Sequence, residues 1–114
     1  MSSEHNLTWS DFQKVDIRIG TILSAQVFKE AHNPAYQLTV DFGSLGILKT
    51  SAQITVLYQP EDLIGIQVTA VVNFPPKQIA TMMSECLILG AVGENKEVTL
   101  ISPNKLTKNG LKIG

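Results

Sequence analysis

The sequence predicts an all-β domain, a small closed barrel of five strands joined by loops and short helical turns. Three observations carry this. Two stretches alternate apolar and polar residues with period two, at 36 to 42 and 68 to 74. One early segment, 15 to 27, is too long for a flat strand and carries a glycine near its middle. Helical periodicity is confined to single turns. With 114 residues and 44% hydrophobic content the chain suits one core, and it shows no repeat, low-complexity stretch or Pro/Gly/Ser linker. A single domain over residues 1–114 is therefore expected.

Taken in order, Thr8-Trp9-Ser10-Asp11-Phe12 reads as one capped turn, with Thr8 as N-cap and Asp11 three residues on. Trp9 and Phe12 would then lie on one side and lid an open barrel end. Val15 to Val27 is the long first strand, and Gly20 predicts its bend or bulge. A kinked first strand that pairs on both sides is what a five-stranded oligonucleotide-binding (OB) barrel of Greek-key type requires. Tyr36, Leu38, Val40 and Phe42 form the apolar face of the second strand. Ile54 to Tyr58 is a candidate helical turn before Pro60, and Gln78 to Met82 another. Val68, Ala70, Val72 and Phe74 repeat the alternation, and Cys86-Leu87-Ile88-Leu89 reads as a central strand. Val98 to Ile101 follows the Gly93 to Lys96 turn, and Asn109-Gly110 is a tight turn that would fold Leu106 against Leu111 and Ile113.

Composition narrows the function. Met1 to Asn6 carries no Lys or Arg, and no apolar run reaches the length of a signal segment or membrane span, so a cytoplasmic protein without membrane insertion is expected. Nine basic against ten acidic side chains give a net charge of −1, a poor overall balance for a sequence-independent phosphate binder. Any nucleic-acid role must rest on a local patch; residues 96 to 114 hold four Lys and one Glu. His5 and His32 stand alone without ligand spacing, so neither a metal nor a cofactor is expected. Cys86 opens an apolar strand and reads as core filler. No phosphate-cradling glycine motif is present, and the expected class is a binding protein and not an enzyme.

The strongest candidate for binding is the connection Asn73 to Glu85. It is long for a hairpin, Pro75-Pro76 stiffens one limb, and Phe74, Ile79, Met82 and Met83 make it apolar. These four side chains either receive an apolar peptide or plug the barrel end; both readings stand. Lys49 and Lys77 would hold phosphates if they share a face.

Two segments resemble the tRNA-binding domain family: Val15-Asp16-Ile17-Arg18-Ile19-Gly20-Thr21-Ile22 and Asn33-Pro34-Ala35-Tyr36-Gln37-Leu38-Thr39-Val40-Asp41-Phe42-Gly43. Thr50 to Thr55 and Ala70 to Ala80 are similar to its CsaA-type branch of export-related chaperones. The resemblance implies an OB-fold homodimer that binds tRNA and unfolded or preprotein segments. By position it places Arg18, Ser51, Asn73, Ser84 and Glu85 among the RNA-binding candidates, beside Lys49 and Lys77. Lys77-Gln78 stands where the branch carries two basic residues, and Met82-Met83 follows where it carries Gly and a basic residue. Both departures predict weak tRNA binding. Arg18 has Asp16 or Asp41 as alternative ion-pair partners, and Asn73 and Ser51 can instead satisfy backbone groups at strand ends.

Overall fold

The computed structural model describes residues 6–114; His5 lies outside them. In chain order the elements are helix α1 (Trp9–Gln13), strands β1 (Ile17–Val27), β2 (Tyr36–Asp41) and β3 (Ile47–Ala52), helix α2 (Pro60–Leu63), then strands β4 (Gln67–Val71), β5 (Lys77–Ile79), β6 (Met82–Ser84), β7 (Leu87–Ile88), β8 (Gly90–Val92) and β9 (Val98–Leu100). Five of them form one antiparallel sheet in the order β3-β2-β1-β4-β7, while β5-β6 and β8-β9 are separate hairpins. Three consecutive strands followed by a fourth that returns beside the first is the Greek key, and the sheet curls into a nearly closed barrel of the OB type.

The long first strand does what its length predicts. Thr21 to Val27 pairs with β2, and Ile17 to Thr21 pairs with β4. The bulge, however, falls between Ile22 and Ser24, so Leu23 and not Gly20 is the inserted residue. Gly20 has a different role. A Cβ there would sit 2.6 Å from Val40 Cγ1 and 2.7 Å from the Phe42 ring, so glycine is what lets β2 close over β1.

The core follows the predicted face of β2. Ile22, Leu38, Val40, Phe42, Leu63 and Val68 are at most 1% exposed. Truncating Leu38 to Ala would cost ~2–5 kcal/mol through lost burial and the cavity left behind. The alternation expected in β4 is not observed, because all five of its residues are buried. The chain's C-terminal segment covers the outer face. Thr69 Oγ1 donates to Ile101 O at 3.0 Å. The Gln67 amide donates to Thr107 O at 2.6 Å and accepts from Thr107 N at 3.0 Å. Beyond the Asn109-Gly110 turn the segment runs along β1: Gly110 N donates to Ile19 O, Ile19 N to Leu111 O and Ile113 N to Ile17 O, at 2.7, 3.0 and 2.8 Å. Leu106 does not fold back onto Leu111 and Ile113; it is 87% exposed, while neighbouring Thr107 takes the inward bonds.

Four further expectations are corrected. Thr8 caps α1 through its hydroxyl, which accepts from Asp11 N at 3.0 Å, but Trp9 is 82% exposed and lids nothing. Between Ile54 and Tyr58 there is a turn, and the helix starts at Pro60, whose fixed φ and missing N–H suit a first helical position. Gln78 to Met82 is not helical, because the Asn73–Glu85 connection folds as the β5–β6 hairpin. Of the run Cys86 to Leu89, Leu87–Ile88 alone is a strand, and it lies at the sheet edge instead of the centre.

Candidate binding clefts beside the hairpin

Cross-strand pairing in the hairpin sets which side chains share a face: Lys77 opposes Ser84, Gln78 opposes Met83, and Ile79 opposes Met82. Side chains alternate along a strand, so Met82 and Met83 point to opposite faces. Ile79, Met82 and Ser84 are half-buried on the side toward the barrel, whereas Met83 is 44% exposed on the other. The two methionines therefore do not share one face of the hairpin.

The hairpin docks on β3 through side chains. Ser51 N donates to Ser84 Oγ at 3.2 Å, and Thr50 Oγ1 donates to Cys86 O at 2.7 Å. Lys49 N donates to Glu85 Oε1 at 2.8 Å, and Glu85 N donates to Lys49 O at 2.8 Å. Ser84 and Glu85 thus close the edge of β3 where no strand pairs with it. Both were RNA-binding candidates, and both hold backbone groups of the fold.

Around this junction lie connected clefts. One of 320 Å³ is lined by Phe74, Pro75, Ile79, Cys86 and Leu87, with Ser51, Lys77, Ser84 and Glu85 as polar members. A second, of 380 Å³, runs between the end of β3 (Ser51 to Ile54) and the segment Leu87 to Val92, and shares Ser51 and Leu87 with the first. A third, of 510 Å³, opens between Glu30 to Asn33 and the hairpin, and shares Ser51, Lys77 and Ile79. Four RNA-binding candidates and two peptide-binding candidates therefore meet at one place: Ser51, Lys77, Ser84 and Glu85 with Phe74 and Ile79.

Lys49 is set apart. It lines a separate 170 Å³ cleft with Ser24, Gln26, Gln37, Thr39 and Met82, so Lys49 and Lys77 do not line a common cleft. Arg18 and Asn73 line none of these clefts. Arg18 Nε donates to Asp16 Oδ1 at 2.6 Å and its Nη1 to Gly110 O at 3.0 Å, which selects Asp16 over Asp41. Asn73 Oδ1 accepts from Asp16 N at 3.0 Å and its Nδ2 donates to Lys14 O at 2.7 Å. Both side chains brace the start of β1.

Burial, with the Glu85 charge adding to it, pushes the Cys86 thiol up to about 11, so this wall of the first cleft is a neutral apolar group at pH 7. Among the described residues no group of three or more His, Cys, Asp or Glu is arranged to hold a metal ion. No helix among them is long and apolar enough to cross a membrane. The cleft residues missed by sequence reasoning include Leu87, Gln53 and Val98. Leu87 carried a signal, an apolar residue in a run assigned to the sheet interior, but which face it took depended on the edge position of β7.

These features define an OB-fold binding domain. Residues 17–112 match the family described as "Putative tRNA binding domain", and the chain belongs to that family. Curated relatives include methionine–tRNA ligases of Methanococcoides burtonii, 35% identical over 94% of this chain, and of Leptospira interrogans, 38% identical over 90%. The chain spans 16% and 14% of the length of those two enzymes. Among solved structures, chaperone CsaA from Bacillus anthracis is 52% identical with a TM-score of 0.91, covering 96% of this chain and 99% of that one. The CsaA chaperone protein of Picrophilus torridus is 46% identical with a TM-score of 0.89, covering 96% and 100%.

Proposed function

We propose that this chain is a cytoplasmic, homodimeric binding protein of the export-related chaperone type, which takes up extended apolar segments of unfolded or preprotein chains and also binds tRNA. The observation that carries the peptide reading is the meeting of the 320 and 380 Å³ clefts at Ser51 and Leu87, along the seam between the edge strands β3 and β7. An extended segment has side chains on alternating sides, and the seam offers Phe74, Ile79 and Leu87 to one side chain and Ile88, Val92 and Val98 to another. Similarity to the two CsaA chaperones supports the same reading. Exposed Leu7, Trp9, Val92 and Leu106 supply apolar surface that self-association would cover. The test is Leu87→Ser, a half-exposed side chain whose loss leaves the core intact. It should reduce suppression of aggregation of an unfolded test protein while the melting temperature stays nearly unchanged. Unchanged suppression would place the client elsewhere.

A second reading, a dedicated tRNA-binding protein, is favoured by the family match and by Lys77 standing where the first and third clefts join. Salt separates the two. Phosphate binding weakens steeply as salt rises, while burial of apolar side chains does not. A chain whose every binding activity fades with salt, and which leaves aggregation of the test protein unaltered, would be the dedicated tRNA binder.

A further inference from the structure

Met82 and Met83 are the only methionines beyond Met1, and the hairpin gives them unequal surroundings. Met83 opposes Gln78 on the outer face and is 44% exposed. Met82 is half-buried, and its Sδ accepts from Gln37 Nε2 at 3.8 Å. Gln37 is itself fixed, because its Oε1 accepts from Gln26 Nε2 at 2.9 Å. Lys49 lines the same small cleft and brings a flexible cationic donor. A thioether in an apolar core would be disrupted by oxidation, whereas this one already faces a donor, Gln37 Nε2.

We propose that the Met82 thioether is a site of reversible oxidation whose sulfoxide fastens the β5–β6 hairpin to the barrel, with Met83 as the more exposed, structurally silent scavenger beside it. The oxidant is of the peroxide class. The thioether sulfur attacks one peroxide oxygen, the O–O bond breaks, an S–O bond forms, and the other oxygen leaves as water after taking up the protons. Sulfur is oxidised by two electrons and the peroxide is reduced by two; sulfoxide reductases reverse the step. The new oxygen stands one bond length beyond the sulfur, which brings an acceptor into the ~2.7–3.2 Å range of an N–H···O bond from Gln37. A weak sulfur acceptor becomes a strong oxygen one.

The effect falls on the hairpin, which also carries Lys77 and Ile79 into the adjoining clefts. The inference stands on the Gln37–Met82 geometry and not on client binding. Its test is time-resolved peptide mapping of the folded protein in dilute hydrogen peroxide, with hydrogen exchange as the second readout. Oxygen should be gained first at Met83 and more slowly at Met82. In Met83→Leu, which leaves Met82 as the hairpin's one thioether, oxidation at Met82 should slow exchange of the hairpin amides about threefold, the gain expected of one added hydrogen bond, and Gln37→Leu should abolish that slowing. Faster or unaltered exchange after oxidation would overturn the proposal, as would a Met82 that gains oxygen only when the protein is unfolded.

Discussion

Glu85 is bonded twice to Lys49: its main-chain N–H donates to the Lys49 carbonyl, and its side-chain carboxylate accepts from the Lys49 N–H, both at 2.8 Å. One residue thereby mimics the two bonds a neighbouring strand would make at that point of β3. Glu85→Ala would leave the Lys49 N–H without its partner, and a loss of ~1–3 kcal/mol is expected in urea unfolding. Glu85→Gln retains an amide oxygen as acceptor and should lose less. Lys49→Ala keeps both bonds, since both use its main chain, and should leave stability unchanged.

Asn73 is a candidate for RNA contact, and its amide ties Asp16 N to Lys14 O. Asn73→Ala should cost about 1–2 kcal/mol in thermal or urea unfolding, because two backbone groups lose their partner. At temperatures where the variant is folded, the salt slope of tRNA binding should match that of the parent chain. A flatter slope would return Asn73 to the phosphate-binding surface.

Lys77 is exposed and makes no ion pair among those of the described residues. Lys77→Ala should weaken tRNA binding and flatten the plot of log K against log salt by about one unit, with no change in melting temperature. An identical slope would show that Lys77 touches no phosphate.

The Cys86 thiol, pushed up to about 11 from an ordinary value of 9.0, makes stability depend on alkaline pH. In the unfolded chain the thiol ionises above pH 9.0, while in the folded chain it stays protonated until about 11. The folded state therefore binds more protons in that window, and stability is fully present below it and falls as pH rises through it. Burial raises the Tyr36 hydroxyl too, so its contribution declines over a neighbouring range. Cys86→Ala should shrink the alkaline loss measured by urea unfolding at stepped pH, without removing it.

Local chemistry made some of the fold legible. The period-two face of β2, the Thr8 cap and the Asn109-Gly110 turn each depend on neighbouring residues, and each is present. Most of the failures depended on distant partners. The outer face of β4 is covered by residues far along the chain: Ile101 bonds Thr69, and Thr107 and Asn109 reach Gln67. Gly20 looked like a bend because its spatial neighbours, Val40 and Phe42, are not its sequence neighbours. The hairpin was hidden by Ala80, which takes a positive φ of 50 where turn chemistry favours Gly or Asn. For the site, the residue types were legible while their grouping was not: Lys49 and Lys77 lie on different strands and line separate clefts, and Arg18 and Asn73 are bonded at the start of β1.

The C-terminal segment's grip on β1 bears on the order in which the molecule can assemble. Arg18 waits for the carbonyl of Gly110, 92 positions later, and Ile17 and Ile19 wait for Ile113 and Leu111. On the ribosome the first strand to emerge is thus among the last to have its hydrogen bonds completed. Closure over so long a separation is slow compared with hairpin formation. A nascent chain would hold its β1–β2–β3 meander with one flank of β1 open until residues 110 to 113 are free of the exit tunnel.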